Sequence, residues 1–183
     1  MSLLGGVPGL RGLIFNIGVC TTSVMVIVFG VLLCRQLPPQ SSASIAMGLF
    51  LVGGLGLLGA GLFHCNEGCR NVLVAPDLIG RVHAIASFIA GMATGLALVF
   101  VWLAVRNHAK FETLVGPTLA AALLANFSGI LFWISFLTGG SLSAVEGVFQ
   151  RTGILTTLFW MFYVAVRIWA RRPILPAQGP DPG

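Results

Sequence analysis

Between Arg11 and Arg35 the chain carries no ionisable side chain other than Cys20 and Cys34, and similarly bare apolar stretches recur along all 183 residues. A run of about 18 or more such residues, wound as a helix, matches the roughly 30 Å hydrocarbon thickness of a bilayer. Inside hydrocarbon only a helix or a closed barrel satisfies its own backbone hydrogen bonds. Five stretches of this kind imply an all-α fold: a polytopic bundle of five transmembrane helices. Composition agrees. Hydrophobic residues make up 57% of the chain and charged residues 8%, against about 25% charged in soluble domains. A net charge of +5 would suggest nucleic acid in a soluble protein. Here the basic residues flank apolar segments, where topology and anionic lipid head groups account for them, so no nucleic-acid partner is expected.

The spans are expected at Gly12 to Cys34, Ser44 to Phe63, His83 to Val105, Thr113 to Leu137 and Ser143 to Ala170. Pro38-Pro39 separates the first two, since a helix does not continue through that pair. Pro117 is tolerated if it lies in the first turn of its helix. Ser143 followed by Glu146 has the spacing of a capping box. The transmembrane domain is residues 1–172, and the Pro/Gly-rich tail 173–183 is expected to be disordered. A cleaved signal peptide is not expected, because the first apolar run is too long for its core.

With five spans, Arg11, Arg70, Arg81 and Arg151 fall on one side. Arg35, Arg106, Lys110, Arg167, Arg171 and Arg172 fall on the other. The positive-inside rule then places the C-terminus in the cytoplasm and the N-terminus outside, in the inner (plasma) membrane of a bacterium.

Polar chemistry concentrates in the second loop, which reads Phe63-His64-Cys65-Asn66-Glu67-Gly68-Cys69-Arg70 and continues through Asp77 and Arg81 to His83. A disulfide between Cys65 and Cys69 is the first expectation: the loop lies on the oxidising side, and a tight turn brings two Cα atoms within the required ~7 Å. Two alternatives stay open. One is a metal site using His64, Cys65, Cys69 and His83, although the adjacent His-Cys pair and the C-x3-C step fit zinc spacings poorly. The other is a redox dithiol, which ordinarily uses C-x-x-C. Cys20 and Cys34 are expected to pack as small apolar residues, and no cofactor is expected.

His83 reads either as a proton carrier or ligand near the outer interface, or as a polar anchor at a helix end. Arg151 falls about two turns inside the fifth span. An arginine near hydrocarbon costs about 2.5–3.5 kcal/mol on insertion scales and needs a partner or an escape route. Glu67, Asp77 and Glu146 are its candidates. Asn126 at mid-span, Asn16, and the glycines of the second and third spans (Gly48 to Gly61, Gly91, Gly95) point to close helix packing, within the chain or against another subunit. His108 reads as a solvated loop residue. No acidic pair lies inside a span, which counts against an ion-coupled pump.

Gly61-Leu62-Phe63 closing a span, Asn66 and Glu67 in the turn, His83 opening the next span and Gln150-Arg151 opening the last, with Asn16-Ile17-Gly18 in the first, together resemble a bacterial and archaeal family of small membrane proteins. That family carries only a domain-of-unknown-function label. The resemblance implies six spans, the first of which is absent here, and a proline where this chain has His64. It implies no activity.

Two functions follow as expectations. The leading one is a non-catalytic accessory subunit that packs its glycine-rich helices against other membrane subunits or itself, surrounded by membrane lipids. The alternative is an enzyme or a lipid- or small-molecule-binding module whose extracytoplasmic site draws on His64, Glu67, His83, Glu146, Gln150 and Arg151.

Overall fold

The structure, a computed structural model, describes residues 9–63, 78–138 and 145–170. The described residues form five long helices: α1 (Leu10–Gln36), α2 (Ser41–Leu62), α3 (Leu78–Val105), α4 (Glu112–Thr138) and α5 (Glu146–Trp169), with a 3-10 turn at Ala109–Phe111. Each is long and apolar enough to cross a membrane, and no strand occurs among the described residues. The expected fold class and span count are borne out. The tail after Ala170 lies outside the described residues.

The breaks follow local chemistry. Leu37, which precedes Pro38, is extended and ends α1, as the residue before a proline tends to be. Gln40 is extended ahead of α2. Its side chain does not cap that helix but donates from Nε2 to the Ala104 carbonyl near the end of α3, at 2.7 Å.

Three expected boundaries shift. Helix α3 begins at Leu78 rather than His83, so Arg81 and His83 ride on helix. Pro117 is the sixth residue of α4, beyond the first turn where its missing N–H would cost nothing. Helix α5 starts at Glu146 with Val145 as its N-cap and no side-chain cap bond, so the Ser143–Glu146 spacing does not open it. Ser143 itself lies outside the described residues.

Helices adjacent in sequence pack as antiparallel neighbours, α1 on α2, α2 on α3, α3 on α4 and α4 on α5. In the half of the bundle near the 37–40 and 106–111 connections, the core is bulky. Val26, Leu33, Phe50, Leu98, Val101, Val105, Leu114, Trp160 and Val164 are buried together there. Phe29 meets Trp160 edge-on at 5.6 Å, and Phe50 stacks on Trp160 at 6.4 Å. Toward the other end the buried residues of α2 and α3 are small: Gly53, Gly54, Ala60, Gly61, Ala84 and Ala90.

Backbones approach closely where the residues are small. A Cβ on Gly56 would come within 2.8 Å of the Ala86 carbonyl oxygen and 2.9 Å of the Ala90 nitrogen, both on the backbone of α3. Gly54 faces Ile27 and Gly61 faces Cys20, both on α1. Except for Gly48, the glycines of α2 are therefore occupied by α1 and α3. Their close approach serves the chain's own packing, and an outside subunit would have to use another surface.

This separates two glycines on one helix. Gly56→Ala should destabilise the bundle by about 1–3 kcal/mol, the usual cost of overpacking. Gly48→Ala, with open space around it, should leave stability unchanged or raise it through helix propensity. Thermal unfolding of the two variants in detergent micelles checks the pair, and equal behaviour would refute the packing account.

Candidate functional site

Of the candidate site residues read from sequence, the described ones lie near the starts of α3 and α5. His64, Cys65, Glu67 and Cys69 lie outside the described residues, as does the side chain of Glu146. The disulfide, metal and dithiol readings of the second loop rest on them. His83, Gln150 and Arg151 are described.

His83 is buried, at 8% exposure. Its Nδ1 lies 2.9 Å from the Ala60 carbonyl and 2.9 Å from the Phe63 carbonyl. Both partners are acceptors, so Nδ1 must carry the proton and donate to both. A helix leaves its last carbonyls without N–H partners, and His83 supplies a donor to two of them at the end of α2. Ser87, one turn along α3, has its Oγ 3.4 Å from Nε2, a long contact in which the hydroxyl donates. Of the two readings of His83, the anchor describes this geometry, with one change: the ring secures the end of the neighbouring helix rather than its own. With Nδ1 committed, metal binding or proton transfer would have to use Nε2.

Arg151 is the sixth residue of α5 and is exposed, while Gln150 is half-buried. No hydrogen bond joins either of them to His83 among the described residues. Of the acids named as partners for Arg151, Glu67 and Asp77 lie outside the described residues. The expected six-residue cluster is thus visible as a buried histidine bound to backbone and, separately, an arginine facing outward. Among the described residues no three His, Cys, Asp or Glu side chains converge in a way that could hold a metal.

Several other polar groups inside the spans also reach a neighbouring helix. Ser23 Oγ donates to the Gly54 carbonyl across α1 and α2 at 2.7 Å. Asn126 Nδ2 donates to the Gly95 carbonyl on α3 at 2.9 Å and to Ala122 on its own helix at 2.7 Å. Its amide oxygen fills the space a Cβ on Gly95 would take. Trp160 Nε1 donates to Thr118 Oγ1 at 3.0 Å. The packing role read from Asn126 matches this geometry. Ser23, Gln40 and Thr118 were not singled out from sequence: a lone serine or threonine in an apolar run bonds its own helix as readily as a neighbour.

Membrane-crossing helices tied together through backbone carbonyls define the class: a multi-pass helical integral membrane protein. Within that class the chain belongs to the family described as "Protein of unknown function (DUF998)", whose profile matches residues 1–167. This bears out the resemblance to a family carrying only a domain-of-unknown-function label. No curated protein and no solved structure matches the chain.

The cap on α2 can be tested against a chemical role for His83. His83→Asn keeps an N–H donor near the Nδ1 position and should retain most of the stability. His83→Leu leaves the buried Ala60 carbonyl and the part-buried Phe63 carbonyl without it and should cost about 1–3 kcal/mol. Thermal unfolding in detergent distinguishes them. If Asn proves as damaging as Leu, the imidazole is needed for something other than its Nδ1 proton.

Proposed function

We propose that this chain is a non-catalytic subunit of a membrane protein assembly, and that it meets its partner through the outward face of α5. One observation carries the reading. Of the five spans α5 is the least apolar, yet it is also the least covered: 17% of its apolar window is buried by the described residues, against 44% for α3. A bundle standing alone in lipid is better served by turning its most polar helix inward, because polar and charged groups facing hydrocarbon are costly.

The uncovered stripe runs along one side of the helix through Arg151, Ile154, Leu158 and Phe162, all exposed and spaced three or four residues apart. An arginine at the head of such a stripe suits a carboxylate or a row of carbonyls on a neighbouring transmembrane helix. The rival reading, an extracytoplasmic enzyme or binding site, draws support from the same arginine but from no second described side chain near it.

We place the N-terminus outside and the C-terminus in the cytoplasm of a bacterial inner membrane. In support, the antiparallel helices carry Arg35, Arg106, Lys110 and Arg167 to one end of the bundle, the charge asymmetry that orients short-looped membrane proteins. The Cys65–Cys69 disulfide belongs to the same proposal, since it needs the oxidising side.

Photo-crosslinking residues at Ile154 and Leu158 in intact cells should capture one polypeptide reproducibly. Arg151→Glu should abolish the adduct without changing the unfolding temperature. Adducts with lipid alone would sink the subunit reading. For the disulfide, alkylation before reduction followed by intact-mass analysis should leave Cys65 and Cys69 unlabelled; two added alkyl groups there would overturn it.

A further inference from the structure

At the opposite end of the bundle, a proline starts a chain of hydrogen bonds that ends at a cation. Pro117 has no N–H, so the Thr113 carbonyl one turn earlier in α4 loses its helical partner. The Tyr163 hydroxyl on α5 donates to that carbonyl at 3.1 Å. Its oxygen in turn accepts the Nε–H of Arg167, one turn further along, at 3.2 Å. The guanidinium also lies over the tyrosine ring, 5.6 Å from its centroid. Arg167 is thus held in place while its two terminal amino groups have no hydrogen-bond partner among the described residues.

Tyr163, over whose ring that guanidinium lies, ends an open groove of about 530 Å³ between α4 and α5. Pro117, Ala120, Leu124, Leu155, Phe159 and Trp160 line its apolar floor and walls. From Tyr163 to Thr152, the far lining residue on α5, the helix rises about 16 Å.

An apolar groove of that length, with a guanidinium fixed over the tyrosine ring at one end, has the shape of a site for one membrane lipid. Charge selects which lipid. Arg106 and Lys110 lie at the same end, and Arg171 and Arg172 follow in the sequence, against two acids, Glu112 and Asp181. A phosphate accepts two parallel N–H bonds from a guanidinium.

We propose that α4 and α5 form a binding site for one anionic phospholipid, with an acyl chain along the groove and the phosphate on Arg167. This site is distinct from the Arg151 stripe and does not rest on the subunit reading.

The test is native mass spectrometry of the delipidated full-length chain, titrated with phosphatidylglycerol, with phosphatidylcholine of the same acyl chains, and with glycerol 3-phosphate. Both lipids offer a phosphate to Arg167, but the choline cation of phosphatidylcholine cancels its charge. Phosphatidylglycerol should therefore bind about fivefold more tightly, the weight of one basic residue facing an anionic head group. Arg167→Gln should erase that preference, and Arg106→Gln should leave it intact. Ala120→Trp, at an exposed position, should weaken both lipids by filling the groove; Ala120→Leu is the milder variant if tryptophan impairs folding. A preference unchanged by Arg167→Gln, or binding unchanged by both groove fillers, overturns the proposal. So does glycerol 3-phosphate binding as tightly as the lipid, which would indicate a free-phosphate site. A polypeptide retained through contacts that Ala120→Trp breaks, in place of lipid, would mean a partner helix occupies the groove.

Discussion

Inside a bilayer a leucine gains little by leaving lipid for protein, because acyl tails are as apolar as the side chain. What holds these five helices together is close backbone approach and the donation of side-chain protons to backbone carbonyls. Ser23, Gln40, His83, Asn126 and Tyr163 each donate to a carbonyl on a different helix, joining α1 to α2, α2 to α3, α3 to α4 and α4 to α5. Every adjacent pair in the bundle has at least one such bond. Individually these are modest, averaging about 0.6 kcal/mol in transmembrane helices, so they fix register and orientation more than they supply stability.

The donors need short distances, and the small residues provide them. Ser23 reaches the Gly54 carbonyl because Gly54 has no side chain to hold α1 away. Asn126 reaches Gly95 for the same reason. The bulky half of the core works differently. There Phe29, Phe50 and Trp160 bridge α1, α2 and α5, and Trp160, Met161 and Val164 are the buried side chains described on α5. All three lie in its second half. Helix α5 is thus seated by buried side chains in its second half. No described residue of its first half is buried, and that half carries Gln150 and Arg151.

Much of this was legible in the sequence, for a clear reason. A charge-free run of membrane length allows few structures, so the five helices could be read from spacing alone. The start of α3 was not legible, because hydropathy reports the hydrocarbon and Leu78 to Val82, with Arg81 among them, extend the helix beyond it. Glycine spacing announced intimate packing but not with whom, since an isolated sequence does not say that α2 lies between α1 and α3. His83 could be placed at an interface but not assigned to the end of α2, which takes tertiary contact to see. The Tyr163 bond had a signal that went unread: a proline inside a helix leaves the carbonyl four residues earlier without its donor, and Pro117 points to Thr113.

The two arginines of α5 set a length problem for the membrane. Between Arg151 and Arg167 lie 15 uncharged residues, about 22 Å of helix, where roughly 30 Å of hydrocarbon must be crossed. Between Arg11 and Arg35 of the first span there are 23, ample for the same thickness. A short apolar stretch is accommodated by thinning the bilayer, by snorkelling of its flanking residues, or by association with another protein. Arg167 is tied to Tyr163 near its own end of the bundle, which limits how far it can swing toward water. The mismatch therefore falls mainly on Arg151, on the half of α5 that its own chain leaves uncovered. A helix too short for the bilayer, with its spare charge on its open side, is better matched to a protein neighbour than to lipid.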